Sequence, residues 1–196
     1  MIAVVNTGGA NLASILFALE RLGKKGILTS DPHTISLADF VILPGVGAAA
    51  LAMEQLQKAE LVECLQKRTG PTLGICLGMQ LLFTESEEGN AKCLGVLPGV
   101  VRSLKIKPTQ TIPHMGWNRV VSAKNNSKLL HSIPDGTHFY FIHSYRTPEG
   151  VWVTSRTNYG EEFPATLEKE NFFGTQFHPE RSGEAGAKVL ENFLTL

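Results

Sequence analysis

The sequence predicts an α/β fold: a central, mostly parallel sheet with helices on both faces and a mixed or antiparallel extension. Three observations carry that expectation. Short apolar runs alternate with helix-period segments through the first half, strand-formers and turn residues dominate the second, and a helix-period segment closes the chain. In order, Ile2–Val5 is a continuous apolar run of the sort found in a strand covered on both faces. After the loop Thr7-Gly8-Gly9-Ala10, Leu12, Ile15, Leu16, Leu19 and Leu22 recur at helical spacing, and Gly23 supplies a stop. Gly26–Thr29 and Phe40–Leu43 read as the next strands, the latter ended by Pro44. One or two helices follow over about residues 50 to 68, on Leu51, Leu56, Val62 and Leu65. Thr72–Ile75 is a further buried strand, running straight into a helix that starts near Leu77. This βαβα order argues for parallel pairing. From residue 95 to 177, VLPGVVRSLKI, RVVS, THFYFIHSYRT, VWVTSRT, FPATLE and FFGTQF extend the sheet. A last helix after Ser182 uses Ala185, Val189 and Phe193. No repeat, low-complexity tract or linker interrupts the pattern, so one domain over residues 1–196 is expected.

Bulk chemistry excludes several classes of function. Eighteen Lys and Arg balance eighteen Asp and Glu, so no net field gathers nucleic acid or an anionic membrane. No apolar run approaches the ~18 residues needed to cross a bilayer. Residues 1–5 lack the basic region and cleavage site of a signal peptide. Cys64, Cys76 and Cys93 contain no CxxC pair. That argues against a disulfide framework or a structural zinc site, and for a reducing cytoplasm.

Three motifs carry chemistry. Gly74-Ile75-Cys76-Leu77-Gly78, between a strand and a helix, is a nucleophile elbow with cysteine at its tip. The tight turn pushes the thiol out of the sheet, and the helix N-terminus favours thiolate. Cys64 and Cys93 lack such a setting and read as structural. In His178-Pro179-Glu180, an extended backbone puts residues i and i+2 on one side, so Glu180 can orient His178 as base and acid for the thiol. Pro44-Gly45-Val46-Gly47 follows a strand, where backbone N–H groups can meet an oxyanion. It is neither a phosphate loop nor a dinucleotide fingerprint. Its glycines flank the Val46 peptide, which could rotate at little steric cost and so gate the oxyanion hole. His33, His131 and His138 read as solvated or structural. His114 and His143 have no second ligand at metal spacing, so no metal centre is expected.

GICLGMQLLF around Cys76, PGVG at 44–47 and GTQFHPE ending at Glu180 resemble the class I, triad-type glutamine amidotransferases, in order and spacing across nearly the whole chain. Asn11-Leu12-x-Ser14, Pro113-His114-Met115-Gly116-Trp117-Asn118, His143-Ser144-Tyr145 and Ser182-Gly183 narrow the likeness to the branch that serves a separate cyclase in histidine biosynthesis. The resemblance implies a flavodoxin-like fold, no cofactor and a heterodimer with a (βα)8-barrel cyclase. This chain would hydrolyse L-glutamine through a Cys thioester and pass on the ammonia. The cyclase would then convert phosphoribulosyl-formimino-AICAR phosphate to imidazole glycerol phosphate and AICAR. Carried over position by position, Cys76, His178 and Glu180 match the triad, and Val46 and Leu77 the oxyanion-hole amides. Gly47, Gln80, Glu88, Ser144 and Tyr145 match glutamine contacts, with Glu88 on the substrate ammonium. Met115, Trp117, Asn118, Tyr140 and Arg181 match the face toward the cyclase. The first loop, Asn6-Thr7-Gly8-Gly9-Ala10-Asn11, departs from the common Asp-Tyr-Gly, and Arg181 stands where lysine is common.

Other readings compete. A self-sufficient γ-glutamyl hydrolase would be robustly active alone, and the glutaminase of another amidotransferase would not require HMGWN. A non-catalytic scaffold would not need an intact Cys76, His178 and Glu180.

Overall fold

The computed structural model describes residues 1–8, 12–45, 47–123 and 126–196. Strands β1 (Ile2–Val5), β2 (Gly26–Thr29), β3 (Phe40–Leu43) and β4 (Thr72–Ile75) run parallel, joined by a late strand, Phe172–Thr175, beside β4. Their spatial order is β2-β1-β3-β4-late strand, the flavodoxin-like arrangement in which ligands bind outside the carboxyl ends of the strands. Beyond Phe172–Thr175 the same sheet continues antiparallel through Glu161–Lys169, Val153–Tyr159 and Val121–Ser122. The late strand is therefore the joint between the parallel half and the expected extension.

Period-two alternation explains why both faces are covered. Ile2, Val4 and Ile42 pack one way, with Ile15 and Leu19 of α1 (Leu12–Arg21). Ala3, Val5, Val41 and Leu43 pack the other way, against α2 (Pro32–Leu37), α3 (Ala49–Lys58) and α4 (Leu61–Gln66). A single-turn helix, α5 (Leu77–Gln80), follows β4, and α6 (Gly183–Phe193) lays Val189 and Phe193 on the α1 side. Burying each such Leu, Ile, Val or Phe stabilises by roughly 1.5–3 kcal/mol.

Two expectations need correction. Leu51 is 63% exposed. The inward stripe of α3 is instead Ala49, Ala52, Met53 and Leu56, a complete i, i+3, i+4, i+7 set whose alanines let the helix approach closely. Nor does every strand of the second half extend the sheet. His114–Arg119 pairs with His138–His143 as a separate two-stranded ribbon. Val100–Ser103 and Tyr145–Arg146 join Glu85–Ser86 and Ala91–Lys92 in a small four-stranded sheet. The ribbon strands bury alternate residues only, and a strand with one dry face suits a layer over the main sheet better than a place inside it.

Among the described residues, no helix is long and apolar enough to cross a membrane.

Candidate active site

Three segments leave the carboxyl ends of neighbouring parallel strands: Cys76 after β4, Pro44-Gly45 after β3, and His178 after Phe172–Thr175. Cys76 sits at φ 53°, ψ −109°, a conformation that costs a non-glycine residue about 1–3 kcal/mol. Its surroundings enforce it. Cys76 N–H donates to Thr175 O at 2.7 Å, and Gln80 N–H donates to Cys76 O at 3.2 Å. The flanking glycines are needed for space: a Cβ on Gly78 would lie 1.8 Å from Leu43 O, and one on Gly74 2.6 Å from Gly78 C. The helix behind the thiol is only Leu77–Gln80, so the dipole expected to favour thiolate comes from a single turn.

His178 Nδ1 bonds Glu180 Oε1 at 2.8 Å, with both side chains buried. The contact does not arise from extended alternation. His178 is extended (φ −99°, ψ 97°), but Pro179–Arg181 form a 3-10 turn, with proline in the first helical position that suits it. Burial pulls the imidazole pKa down, but the Cys76 thiolate and Glu180 outweigh it and raise it to about 10. Nε2 of His178 is buried and makes no hydrogen bond among the described residues.

Cys76, Leu77 and His178 line a cavity of about 250 Å³ together with Gly45, Gly47, Gln80, Glu88, Ser144 and Tyr145. All five residues expected to contact glutamine thus meet around the thiol. Glu88 accepts Ala49 N–H at 2.9 Å, capping α3 as well as facing the cavity. Burial raises its pKa, and the Ala49 bond only partly offsets that. A ligand cation would relieve the unneutralised carboxylate. Gly45 and Gly47 differ: a Cβ on Gly45 would sit 2.5 Å from Leu77 Cβ, whereas Gly47 has φ +96° and open space. Gly45 is small for packing, Gly47 for its backbone angle. Val46, expected at the oxyanion hole, lies outside the described residues, as do Gly9–Asn11 of the first loop.

The ribbon, whose Ile142 and His143 line the cavity, carries Met115, Trp117, Asn118 and Tyr140 of the residues expected to face a partner, while Arg181 lies on the 3-10 turn after His178. Met115 and Trp117 are 64% and 58% exposed. Trp117 stands edge-on to Tyr140, and the Arg181 guanidinium lies 4.6 Å over the Tyr140 ring. Asn118 does not join them. It points to the opposite face, where Nδ2 donates to Asn158 O at 3.0 Å and meets His114 Nε2 at 3.2 Å.

Sequence reasoning missed several links. His114 Nδ1 and His143 Nε2 lie 3.0 Å apart, and His143 Nδ1 bonds Tyr145 O at 2.8 Å. The carbonyl can only accept, so His143 carries its proton on Nδ1 and His114 donates to it: a chain of two neutral imidazoles. Burial keeps them neutral, lowering His114 to about 4 and His143 to about 3. Ser182 Oγ accepts Tyr140 N–H at 3.0 Å and donates to His178 O at 2.6 Å, tying ribbon to triad. Gln176 Nε2 donates to the Cys76 sulfur at 3.6 Å. Only pairing register and tertiary approach bring these groups together.

A cysteine elbow, a carboxylate-oriented histidine and a glycine-rich loop at the carboxyl edge of this sheet define an amidotransferase of the glutamine type. The chain belongs to the glutamine amidotransferase class-I family, whose sequence pattern matches residues 4–196. It is similar to imidazole glycerol phosphate synthase subunit HisH of Yersinia pseudotuberculosis serotype I (strain IP32953), at 47% identity over all of this chain and 99% of that protein. The HisH protein of Escherichia coli (strain K12) is also 47% identical, again covering this whole chain and 99% of the relative. Two solved structures share the fold at low identity. A crystal structure of glutamine amidotransferase has TM-score 0.75 at 19% identity, covering 99% of this chain and 97% of that one. The glutaminase domain of Trypanosoma brucei CTPS, solved with bound acivicin, has TM-score 0.70 at 16% identity, covering 99% and 93%.

Proposed function

We propose that this chain is the glutaminase subunit of an imidazole glycerol phosphate synthase, hydrolysing L-glutamine and passing the ammonia to a (βα)8-barrel cyclase. One observation carries the reading. The thiol on its strained turn, the Glu180-oriented histidine and the five expected glutamine contacts line one small cavity, in a chain similar throughout to the HisH proteins.

Glutamine enters with its ammonium toward Glu88 and its carboxamide over Cys76. The thiolate attacks the amide carbon, and the oxyanion is met by backbone N–H groups of the Pro44–Gly47 loop and Leu77, whose N–H opens α5 without an intrahelical acceptor. His178, held by Glu180, gives a proton to the departing nitrogen, which leaves as ammonia with a γ-glutamyl thioester behind. The same imidazole then takes a proton from water, whose hydroxide displaces the thiolate to give glutamate. The cyclase docks on the face of Met115, Trp117, Tyr140 and Arg181, since exposed aromatic and arginine side chains are the usual anchors of an interface.

The test is to assay the complex with each nitrogen source. Cys76→Ala should abolish glutamine-dependent synthesis and leave ammonia-dependent synthesis intact. Retained glutamine turnover in that variant would sink the assignment, and full glutaminase activity of the chain alone would favour a self-sufficient hydrolase.

A further inference from the structure

The Cys76 sulfur has two hydrogen-bond contacts of opposite sense. As a thiol it donates to Ile142 O at 3.7 Å, and it accepts the Nε2–H of Gln176 at 3.6 Å. The carbonyl favours S–H and the amide favours S⁻. Ionising the sulfur removes the first contact and turns the second into a charge-assisted bond, roughly twice as strong as a neutral one. With only one helical turn behind the thiol, this amide is a side-chain donor that joins the His178 imidazolium in holding the negative sulfur.

Its orientation is fixed. Gln176 Oε1 accepts from Gln80 Nε2 at 3.0 Å, and Gln80 Nε2 also donates to Tyr145 O at 2.9 Å. Because a carbonyl cannot donate, Gln80 must aim its NH2 at both acceptors. Gln176 must then show oxygen to Gln80 and NH2 to the sulfur. The Tyr145 carbonyl is itself held by His143. Gln176 is wholly buried, and its backbone N–H is fixed on Ala165 O at 2.8 Å.

We propose that Gln176 is a catalytic residue: its amide N–H stabilises the Cys76 thiolate and fixes the sulfur for attack, with Gln80 as its positioning residue. The proposal rests on Cys76 being the nucleophile.

Gln176→Glu still accepts from Gln80 but sets an acceptor against the sulfur, and Gln176→Leu removes the donor altogether. Each variant is compared with the native chain by its iodoacetamide inactivation rate across pH, by glutamine kcat and KM with the cyclase bound, and by thermal unfolding. Losing one bond to a charged group should slow alkylation at neutral pH about 10-fold to 100-fold. The alkylation profile should move to higher pH, kcat should fall similarly with KM nearly unchanged, and the Glu variant should be the more impaired. A native alkylation profile in folded Gln176→Glu overturns the proposal, and so does a loss confined to KM, which would make Gln176 a substrate contact. Glutamine turnover by Cys76→Ala would instead overturn the nucleophile itself, so the two failures read differently.

Discussion

Two edges of one sheet each hold a cysteine beside a basic side chain, and only one edge is built for chemistry. At the carboxyl edge, Cys76 stands on a positive-φ turn with His178 alongside. At the amino edge, Cys64 lies within α4, and Arg68 reaches over from the turn before β4. The amino-edge cavity is the larger, about 760 Å³ against 250 Å³, so size does not separate them. What the basic group is bonded to does. Arg68 Nη1 and Nη2 donate to Ile35 O and Ala38 O, each at 2.7 Å, closing the end of α2 against β3. Burial pushes the Cys64 thiol up, Arg68 pulls less strongly the other way, and the sulfur donates to Pro32 O. At Cys76 the basic group can also accept a proton, and its carboxylate holds it in place. A cation near a thiol perturbs it; an oriented base makes it a nucleophile.

The largest expected effect breaks that base. His178→Ala should lower glutaminase turnover by about 10²–10⁴, and Glu180→Gln by less, since it disturbs orientation rather than removing the proton acceptor. Single-turnover acylation would measure both, and a fully active His178→Ala enzyme refutes the triad. Next comes the Glu88 carboxylate that lines the cavity. Glu88→Gln keeps an acceptor for Ala49 N–H but loses the anion, so KM for glutamine should rise about 10-fold to 100-fold, the worth of a bond to a charged group. If Glu88 holds the ammonium, the carboxylate is the form that binds, and burial raises its pKa. KM should therefore climb as pH falls through the weakly acidic range, and stay flat in Glu88→Gln. Parallel profiles would remove Glu88 from ammonium binding.

Arg68 tests the other edge. Arg68→Met should cost the fold roughly 1.5–3 kcal/mol, because buried carbonyls lose charged donors, while activity per folded molecule stays native. Chemical denaturation and active-site titration separate the two, and a drop in specific activity would show that the edges are coupled.

The parallel half of the fold was legible because each strand is a local apolar run and each helix a local stripe. The elbow and the His178–Glu180 pairing are legible because their partners are near in sequence, although the 3-10 turn that makes the pairing is not what the extended reading expects. Leu51 falls outside because the helical stripe through Leu56 runs over Ala49, Ala52 and Met53, whereas its own i+3, i+4 and i+7 neighbours are Glu54, Gln55 and Lys58. The ribbon was merged with the main sheet because alternation reveals a half-buried strand, not what it pairs with. Gln176 carries no local signal, since its partner is a sulfur 100 residues distant. Asn118 and Trp117 share a motif in sequence, but adjacent strand residues face opposite ways and the two side chains part. His114 and His143 were read singly because only the register that sets His143 opposite His114 makes them a pair.

That pair supplies the most specific effect, one read as a slope against pH and with no change in activity at neutral pH. Both rings are buried among Phe141, Tyr159 and Phe163, with no carboxylate hydrogen-bonded to either among the described residues, and burial holds both pKa values far below the ordinary 6.5. The unfolded chain takes up protons near pH 6.5 that the folded chain refuses until about pH 4 and below. Their neutral burial is therefore no penalty above pH 6.5 and becomes one as pH falls, at about 1.4 kcal/mol per pH unit for each ring. His178 does not confuse the window. Its raised pKa gives a stabilisation fully present below 6.5 and lost only as pH rises toward 10. The unfolding free energy of the native chain, from denaturant titrations, should thus fall between pH 6.5 and 5 by roughly 3–4 kcal/mol in total, two rings over about 1.5 pH units. His114→Gln, which cannot titrate, should start less stable at neutral pH but show about half the slope. An unchanged slope in that variant would mean that other groups set the acid sensitivity and that the buried pair contributes packing alone.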